Sequence, residues 1–145
     1  MNTREMAEEY LKKADRYFNE AINAHSEEDF STAIRRCQES VELAIKAVLR
    51  LCGIEYPRKH DVSDLLDKLS DLQDIPDYFK ESIPTLKQTM QRLSQLRGPA
   101  MYGDEANLTP PSRLFSEQDA EKNINDTRKT LQLCKKLFRE WIQQQ

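Results

Sequence analysis

The sequence predicts an all-α fold, an up-and-down bundle of four main helices plus a short fifth, and three observations carry that prediction. The chain holds only three glycines among 145 residues, too few for the tight turns of a β-sheet protein. Good helix formers (Leu, Ala, Glu, Lys, Gln and Arg) are abundant, and charged residues make up 32% of the chain. Apolar residues recur at steps of three and four through separate stretches, the period of one helix face. A chain of this length fits one domain, expected to span 1–145, and can bury a core without disulfides or metal.

The first helix is expected over about residues 3–25, with Ala7, Tyr10, Leu11, Ala14, Phe18, Ala21 and Ile22 as its stripe. Glu27, Glu28 and Asp29 form a short connection, so the second helix should return antiparallel to the first. It starts near Asp29 or Ser31, carries Ile34, Cys37, Val41, Ala44, Ile45, Val48 and Leu51, and stops at Gly53. Pro57 marks a loop, after which Asp61 and Asp64 read as a capping pair opening a third helix through Leu65, Leu66, Leu69 and Leu72. Pro76 and Pro84 then allow only a short turn before a fourth helix over roughly 83–97, closed by Gly98 and Pro99. Residues 98–115 should be the longest irregular segment. Ser116 and Asp119 frame the final helix, whose stripe runs Ala120, Ile124, Thr127, Leu131, Cys134, Phe138, Trp141, Ile142.

Composition narrows the functional classes. No apolar run approaches the roughly 20 residues that span a bilayer, and the first ten residues are polar with both signs of charge, unlike a signal peptide. A cytoplasmic protein without membrane contact is expected. Cys37, Cys52 and Cys134 are odd in number and each falls among apolar helical neighbours, so they read as buried thiols in a reducing compartment. None is spaced as a metal ligand and His25 and His60 stand apart from all three, so neither a metal nor another cofactor is expected. The net charge of −3 argues against a surface that coats nucleic acid broadly. The distribution is uneven, however. Residues 35–60 carry six Lys or Arg against three Glu, residues 80–101 four against one, and residues 61–79 one Lys against six Asp. Side by side, the two basic segments would make a local positive surface; apart, they are solvated helix faces.

The densest candidate for chemistry is Leu96-Arg97-Gly98-Pro99-Ala100-Met101-Tyr102-Gly103-Asp104-Glu105. Ile83, Leu86, Met90 and Leu93 follow the helical period, and Arg97 takes the next inward place. It is either a cap in the last turn of its helix, suited to the negative end of the dipole, or a functional group. Glu42 and Lys46, four apart with Glu first, are either an ordinary helix ion pair or part of a cleft wall. His60 is either a hydrogen-bonded loop residue beside Asp61 or a ligand contact. His25 ends the first helix and complements its dipole, with no further role.

These residues resemble the HEPN superfamily, small all-helical domains often encoded beside minimal nucleotidyltransferases. The likeness covers nearly the whole chain. It lies in Tyr10-Leu11-Lys12-Lys13-Ala14, in Cys37-Gln38-Glu39-Ser40-Val41-Glu42-Leu43-Ala44-Ile45-Lys46-Ala47, in Lys59-His60-Asp61, and in Arg97 followed by Tyr102-Gly103-Asp104. The resemblance implies a homodimer with the loop after the fourth helix at the cleft between protomers, acting with a minimal nucleotidyltransferase partner as in toxin–antitoxin pairs. It further implies that nucleotide or RNA phosphate binds through Arg97 and Tyr102, with Lys46 and Glu42 flanking the cleft, and that Tyr102 is a candidate for modification by the partner; the family pattern places His60, a further candidate nucleotide or RNA contact, at the entrance of the third helix, away from Arg97.

Many HEPN proteins are metal-independent ribonucleases in which an Arg is followed, after four to six residues, by a His; the Arg holds the scissile phosphate and the His assists proton transfer at the 2′-hydroxyl. This chain has Arg97 but places Tyr102, Gly103 and Asp104 where the His belongs. At pH 7 an imidazole with an ordinary pKa near 6.5 is substantially neutral, whereas a phenol near 10 is ionised to about one part in a thousand. Tyr102 therefore suits phosphate hydrogen bonding or base stacking better than proton abstraction, and Asp104, a base by chemistry, would repel the phosphate. Three readings stand side by side. The first is a HEPN-type nucleotide- or RNA-phosphate-binding protein working with a nucleotidyltransferase. The second is a metal-independent endoribonuclease with a degenerate Arg-x4-Tyr motif, served by Arg97, Tyr102 and Asp104. The third is a non-catalytic helical protein-interaction module in which Arg97 caps its helix.

Overall fold

A three-residue link leaves two long amphipathic helices no choice but to pack antiparallel. In the computed structural model, which describes residues 3–144, α1 (Thr3–Ser26) and α2 (Phe30–Leu51) form that hairpin. The Asp29 side chain accepts from the Thr32 N–H at 3.3 Å, the expected cap. At the other end Gly53 takes φ 75° and the Ile54 N–H donates to the Leu49 carbonyl at 2.8 Å, closing the helix. A short 3-10 turn (Ser63–Leu65) leads into α3 (Leu66–Ser70), followed by α4 (Asp77–Tyr102), α5 (Pro111–Leu114) and α6 (Glu117–Gln143). The expected capping box opens α6: the Ser116 hydroxyl accepts from the Asp119 N–H at 3.1 Å, and the Asp119 carboxylate accepts from the Ser116 N–H at 2.8 Å. The described residues form an all-α bundle of four long helices, with α3 and α5 as short additions.

Helix α2 is central, packing on α1, α4 and α6. It buries Ile34, Cys37, Val41, Ile45, Val48 and Leu49, and the same core takes in Leu66 and Leu69 of α3, Phe79, Ile83, Leu86, Met90 and Leu93 of α4, and Leu131 and Leu137 of α6. The Ser40 hydroxyl donates to the Ala14 carbonyl at 2.7 Å, tying α2 to α1 from within the core. Cys37 and Cys134 are buried, Cys52 is partly buried, and all three are free thiols.

The fourth helix departs from expectation at both ends. Instead of spanning 83–97, α4 runs through Pro84, Gly98 and Pro99 to Tyr102. An internal proline costs about 3 kcal/mol. Phe79, Ile83, Leu86, Met90 and Leu93 are all buried, and each contributes about 1.5–3 kcal/mol, so packing outweighs the two proline defects. The chain turns at Gly103 rather than Gly98, with φ 75° and its N–H donating to the Pro99 carbonyl at 2.9 Å. The segment 98–115 is therefore less irregular than expected, with 98–102 in α4 and 111–114 in α5. After the last turn of α4, Asp104 and Thr109 pair through backbone hydrogen bonds of 2.8 and 2.9 Å, and α5 follows.

The third helix is shorter than its leucines suggest. Asp61 accepts from the Ser63 N–H at 2.9 Å instead of capping together with Asp64, whose carboxylate is exposed and lies 4.0 Å from Lys59 Nζ. Only Leu66 and Leu69 of that stripe are fully buried, and Asp71, Asp74 and Pro76 beyond them are poor helix formers. No helix among the described residues is long and apolar enough to cross a membrane.

Candidate functional site

The extra turn of α4 changes the position of Arg97. It lies more than a turn before the helix end, so it is not the expected last-turn cap. Its face meets α2, where Nη1 donates to Oε1 of Gln38, a side chain only 2% exposed. Arg35 of α2 reaches back and donates from Nη1 to the Arg97 carbonyl at 2.8 Å. The Arg35 Nε is enclosed and has no hydrogen-bond partner among the described residues. Burial first, and then the charge of Arg97, lower the Arg35 pKa, while Glu39 and Tyr102 act in the opposite direction. Glu39 is itself held by Arg36 at 2.6 Å. The two basic segments of the sequence thus meet at this corner, where the Arg35 guanidinium bonds the Arg97 main chain and feels the Arg97 charge.

Gln38 continues the connection along α2. Its Nε2 donates to Glu42 Oε1 at 2.7 Å, Lys46 Nζ donates to Glu42 Oε2 at 2.8 Å, and His60 Nδ1 lies 2.9 Å from Glu42 Oε1. The Glu42–Lys46 ion pair is real, and it belongs to a polar chain that runs Arg97, Gln38, Glu42 and then branches to Lys46 and His60. Such a chain fixes the orientation of each member, because each is held by its neighbours in a partly dry setting. Lys46 is buried, with its ammonium 5.2 Å from the centre of the Tyr56 ring. His60 is exposed and bonds Glu42 rather than neighbouring Asp61. It does not touch Arg97; the two α2 residues between them sit one turn, about 6 Å, apart.

Tyr102 is the last residue of α4 and is 65% exposed, within the electrostatic reach of Arg35. Asp104 is placed differently. Its carboxylate accepts from the side-chain amide of Asn107 at 2.7 Å and from the Asn107 N–H at 3.2 Å, which together hold it below the usual carboxylate range. Those bonds and the pairing with Thr109 commit Asp104 to shaping the loop rather than to the polar chain of Arg97. Gly103 sets the loop's direction. A Cβ there would collide with the Thr109 carbonyl oxygen, so only glycine fits.

Of the residues singled out from sequence, Arg97, Glu42, Lys46 and His60 share one network, Tyr102 stands at its edge, and Asp104 lies outside it. Arg35 and Gln38 are members that sequence reasoning missed. Their signal is the spacing of Arg35, Gln38, Glu42 and Lys46 at steps of three and four, a polar ridge along the helix. The ridge acquires meaning only when α4 supplies Arg97 opposite it.

The fold agrees with what the chain is similar to. It is 28% identical over 135 residues, covering 90% of this chain and 87% of the relative, to a protein of Methanocaldococcus jannaschii named "Putative toxin MJ1304". The crystal structure of ST0689, an archaeal HEPN homologue, superposes with a TM-score of 0.68 at 27% identity, covering 91% of this chain and 97% of that one. The crystal structure of TT1696 from Thermus thermophilus gives a TM-score of 0.72 at 21% identity over 90% of this chain and 96% of that one, a likeness of fold alone. The family model of the HEPN domain matches residues 7–137. The chain belongs to the HEPN domain family.

Proposed function

We propose that the protein is a toxin-like HEPN component that binds nucleotide or RNA phosphate where α2 meets the end of α4, as a homodimer and together with a minimal nucleotidyltransferase. The observation that carries this reading is the convergence of Arg35 and Arg97 beside exposed Tyr102. The Arg97 charge acts against that of Arg35, and a phosphate taken by both would replace that repulsion with charge-assisted hydrogen bonds. The Tyr102 ring or hydroxyl then has a base or a phosphate oxygen within its reach. Met101, Tyr102 and Leu108 are exposed apolar side chains on and just after this end of α4, which suits a dimer cleft there. The name of the archaeal relative supports the toxin-like role.

Ultraviolet crosslinking of the protein to a uniformly labelled single-stranded RNA, followed by peptide mass mapping, tests the placement. The crosslink is expected on the peptide holding Tyr102; crosslinks confined to other surfaces rule the site out.

A second reading, a metal-independent endoribonuclease whose base is not supplied by the Arg-x4-Tyr motif, is favoured by one observation: His60 is tied through Glu42 and Gln38 to Arg97. In that form Arg97 holds the phosphate and His60, rather than Tyr102 or Asp104, takes the 2′-hydroxyl proton. Metal-free protein should then cleave an RNA pool, with cleavage lost in both Arg97→Ala and His60→Ala. No cleavage by the wild type leaves the binding reading alone.

A further inference from the structure

We propose a divalent-metal site, with zinc as the fitting ion, where the end of α1 meets the start of α6, built from His25, Glu117 and Glu121. It shares no residue with the Arg97 network. His25 lies in the last turn of α1, and Glu117 and Glu121 are one turn apart at the start of α6. One ring nitrogen of the histidine and one oxygen of each carboxylate all fall within 4.8 Å of one another.

The histidine carries the argument. Its Nε2 is sealed from solvent and has no hydrogen-bond partner among the described residues, which is costly for a buried polar atom. The nearest carboxylate oxygen, Glu121 Oε1, is 3.7 Å away, beyond hydrogen-bond range. That separation is close to the roughly 3.3 Å between two ligand atoms of a tetrahedral zinc whose bonds are about 2.0–2.1 Å. A cation placed between them gives the nitrogen the partner it lacks. It also offsets the repulsion of two carboxylates four residues apart on one helix.

The surroundings fit. The His25 ring packs on Phe30, centroids 5.6 Å apart, which restrains the imidazole's direction. Glu117 and Glu121 are exposed, so ordinary rotamer changes can bring their oxygens the last ångström inward. Arg128 lies on the adjoining groove, but it donates to Asn125 at 2.7 Å and stacks over Phe18, so its charge is engaged elsewhere. One imidazole with two carboxylates suits zinc better than magnesium or calcium, which prefer oxygen ligands throughout. The fourth position is left to water. The positive end of the α6 dipole lies beside Glu117 and opposes a cation there, which weakens the site. Because the ligands come from opposite ends of the chain, no local spacing in the sequence reveals them.

The test uses tag-free full-length protein stripped with chelator, dialysed against zinc chloride and followed by thermal denaturation. One zinc per chain and a rise in Tm with zinc are expected. Both should be lost in His25→Gln, and Glu121→Gln should weaken binding more than about tenfold. Glu121 is 53% exposed in its side chain, so its replacement leaves folding intact and remains informative if the His25 variant fails to fold. No bound zinc overturns the site, as does undiminished zinc binding by Glu121→Gln. A thiolate charge-transfer band in the cobalt-substituted protein, which would place the metal on a cysteine, overturns it too.

Discussion

Arg35 donates from Nη1 to the main-chain oxygen of Arg97 at 2.8 Å, so one arginine orients the backbone that carries another and both charges share one corner of the bundle. The lowered Arg35 pKa expresses the same strain: burial and the Arg97 charge make the charged form less favourable than it is in water. An anion bound there reverses the balance. Arg35→Gln should therefore weaken RNA binding at least about fivefold while shifting the ligand-free Tm by no more than about 2–4 °C, the equivalent of about 1 kcal/mol in a chain of this size. Parallel binding and melting curves check both halves; a large Tm loss with unchanged binding would make Arg35 a structural residue only.

Gln38 should behave in the opposite way. It is buried and serves Arg97 and Glu42 at once, so Gln38→Leu leaves a guanidinium and a carboxylate short of a partner. The expected destabilisation is about 1–3 kcal/mol, read as a Tm several degrees lower. A variant as stable as the wild type would show that the polar chain is not coupled.

Gly103→Ala should loosen the loop that follows α4. The added methyl would run into the Thr109 carbonyl oxygen at a residue whose φ is 75°. A loss of more than about 1 kcal/mol is expected, together with faster hydrogen exchange at the Asp104 and Thr109 amides. Unchanged exchange there would mean that the turn is held by other contacts.

The thiols give a pH prediction. Burial pushes Cys37, Cys52 and Cys134 from an ordinary value of 9.0 up to about 12. Between those values the unfolded chain releases thiol protons that the folded protein keeps, so stability is fully present below about pH 9 and falls as pH rises toward 12. For the same reason the folded protein should resist alkylation at pH 8 and take up three equivalents once unfolded. Intact mass after brief iodoacetamide treatment reads this directly, and rapid labelling of the native protein would show that the thiols are accessible.

How much of this was legible in the sequence depends on whether a feature is local. The Asp29 cap, the Ser116–Asp119 capping box and the stop at Gly53 are short-range chemistry and appear where the residues place them. The end of α4 is not local. Gly98 and Pro99 read as a terminator, yet the helix continues to Tyr102 because tertiary packing overrides their propensity, and the closing turn falls at Gly103, next to Thr109 and Pro111. The site divides in the same way. Arg97, Glu42, Lys46 and His60 stand out by residue type and spacing, whereas the link among them is Gln38, an amide with nothing to distinguish it until α4 lies against α2.

The most direct test of the phosphate site is a fluorescence anisotropy titration of a labelled single-stranded RNA with wild-type protein and Arg97→Ala at several salt concentrations. Binding is expected to weaken at least about tenfold in the variant, with a log–log salt slope shallower by about 0.7, the loss of one phosphate contact on a single strand. Equal affinity and equal slope for the two proteins would contradict it and leave Arg97 as a residue that only joins α4 to α2.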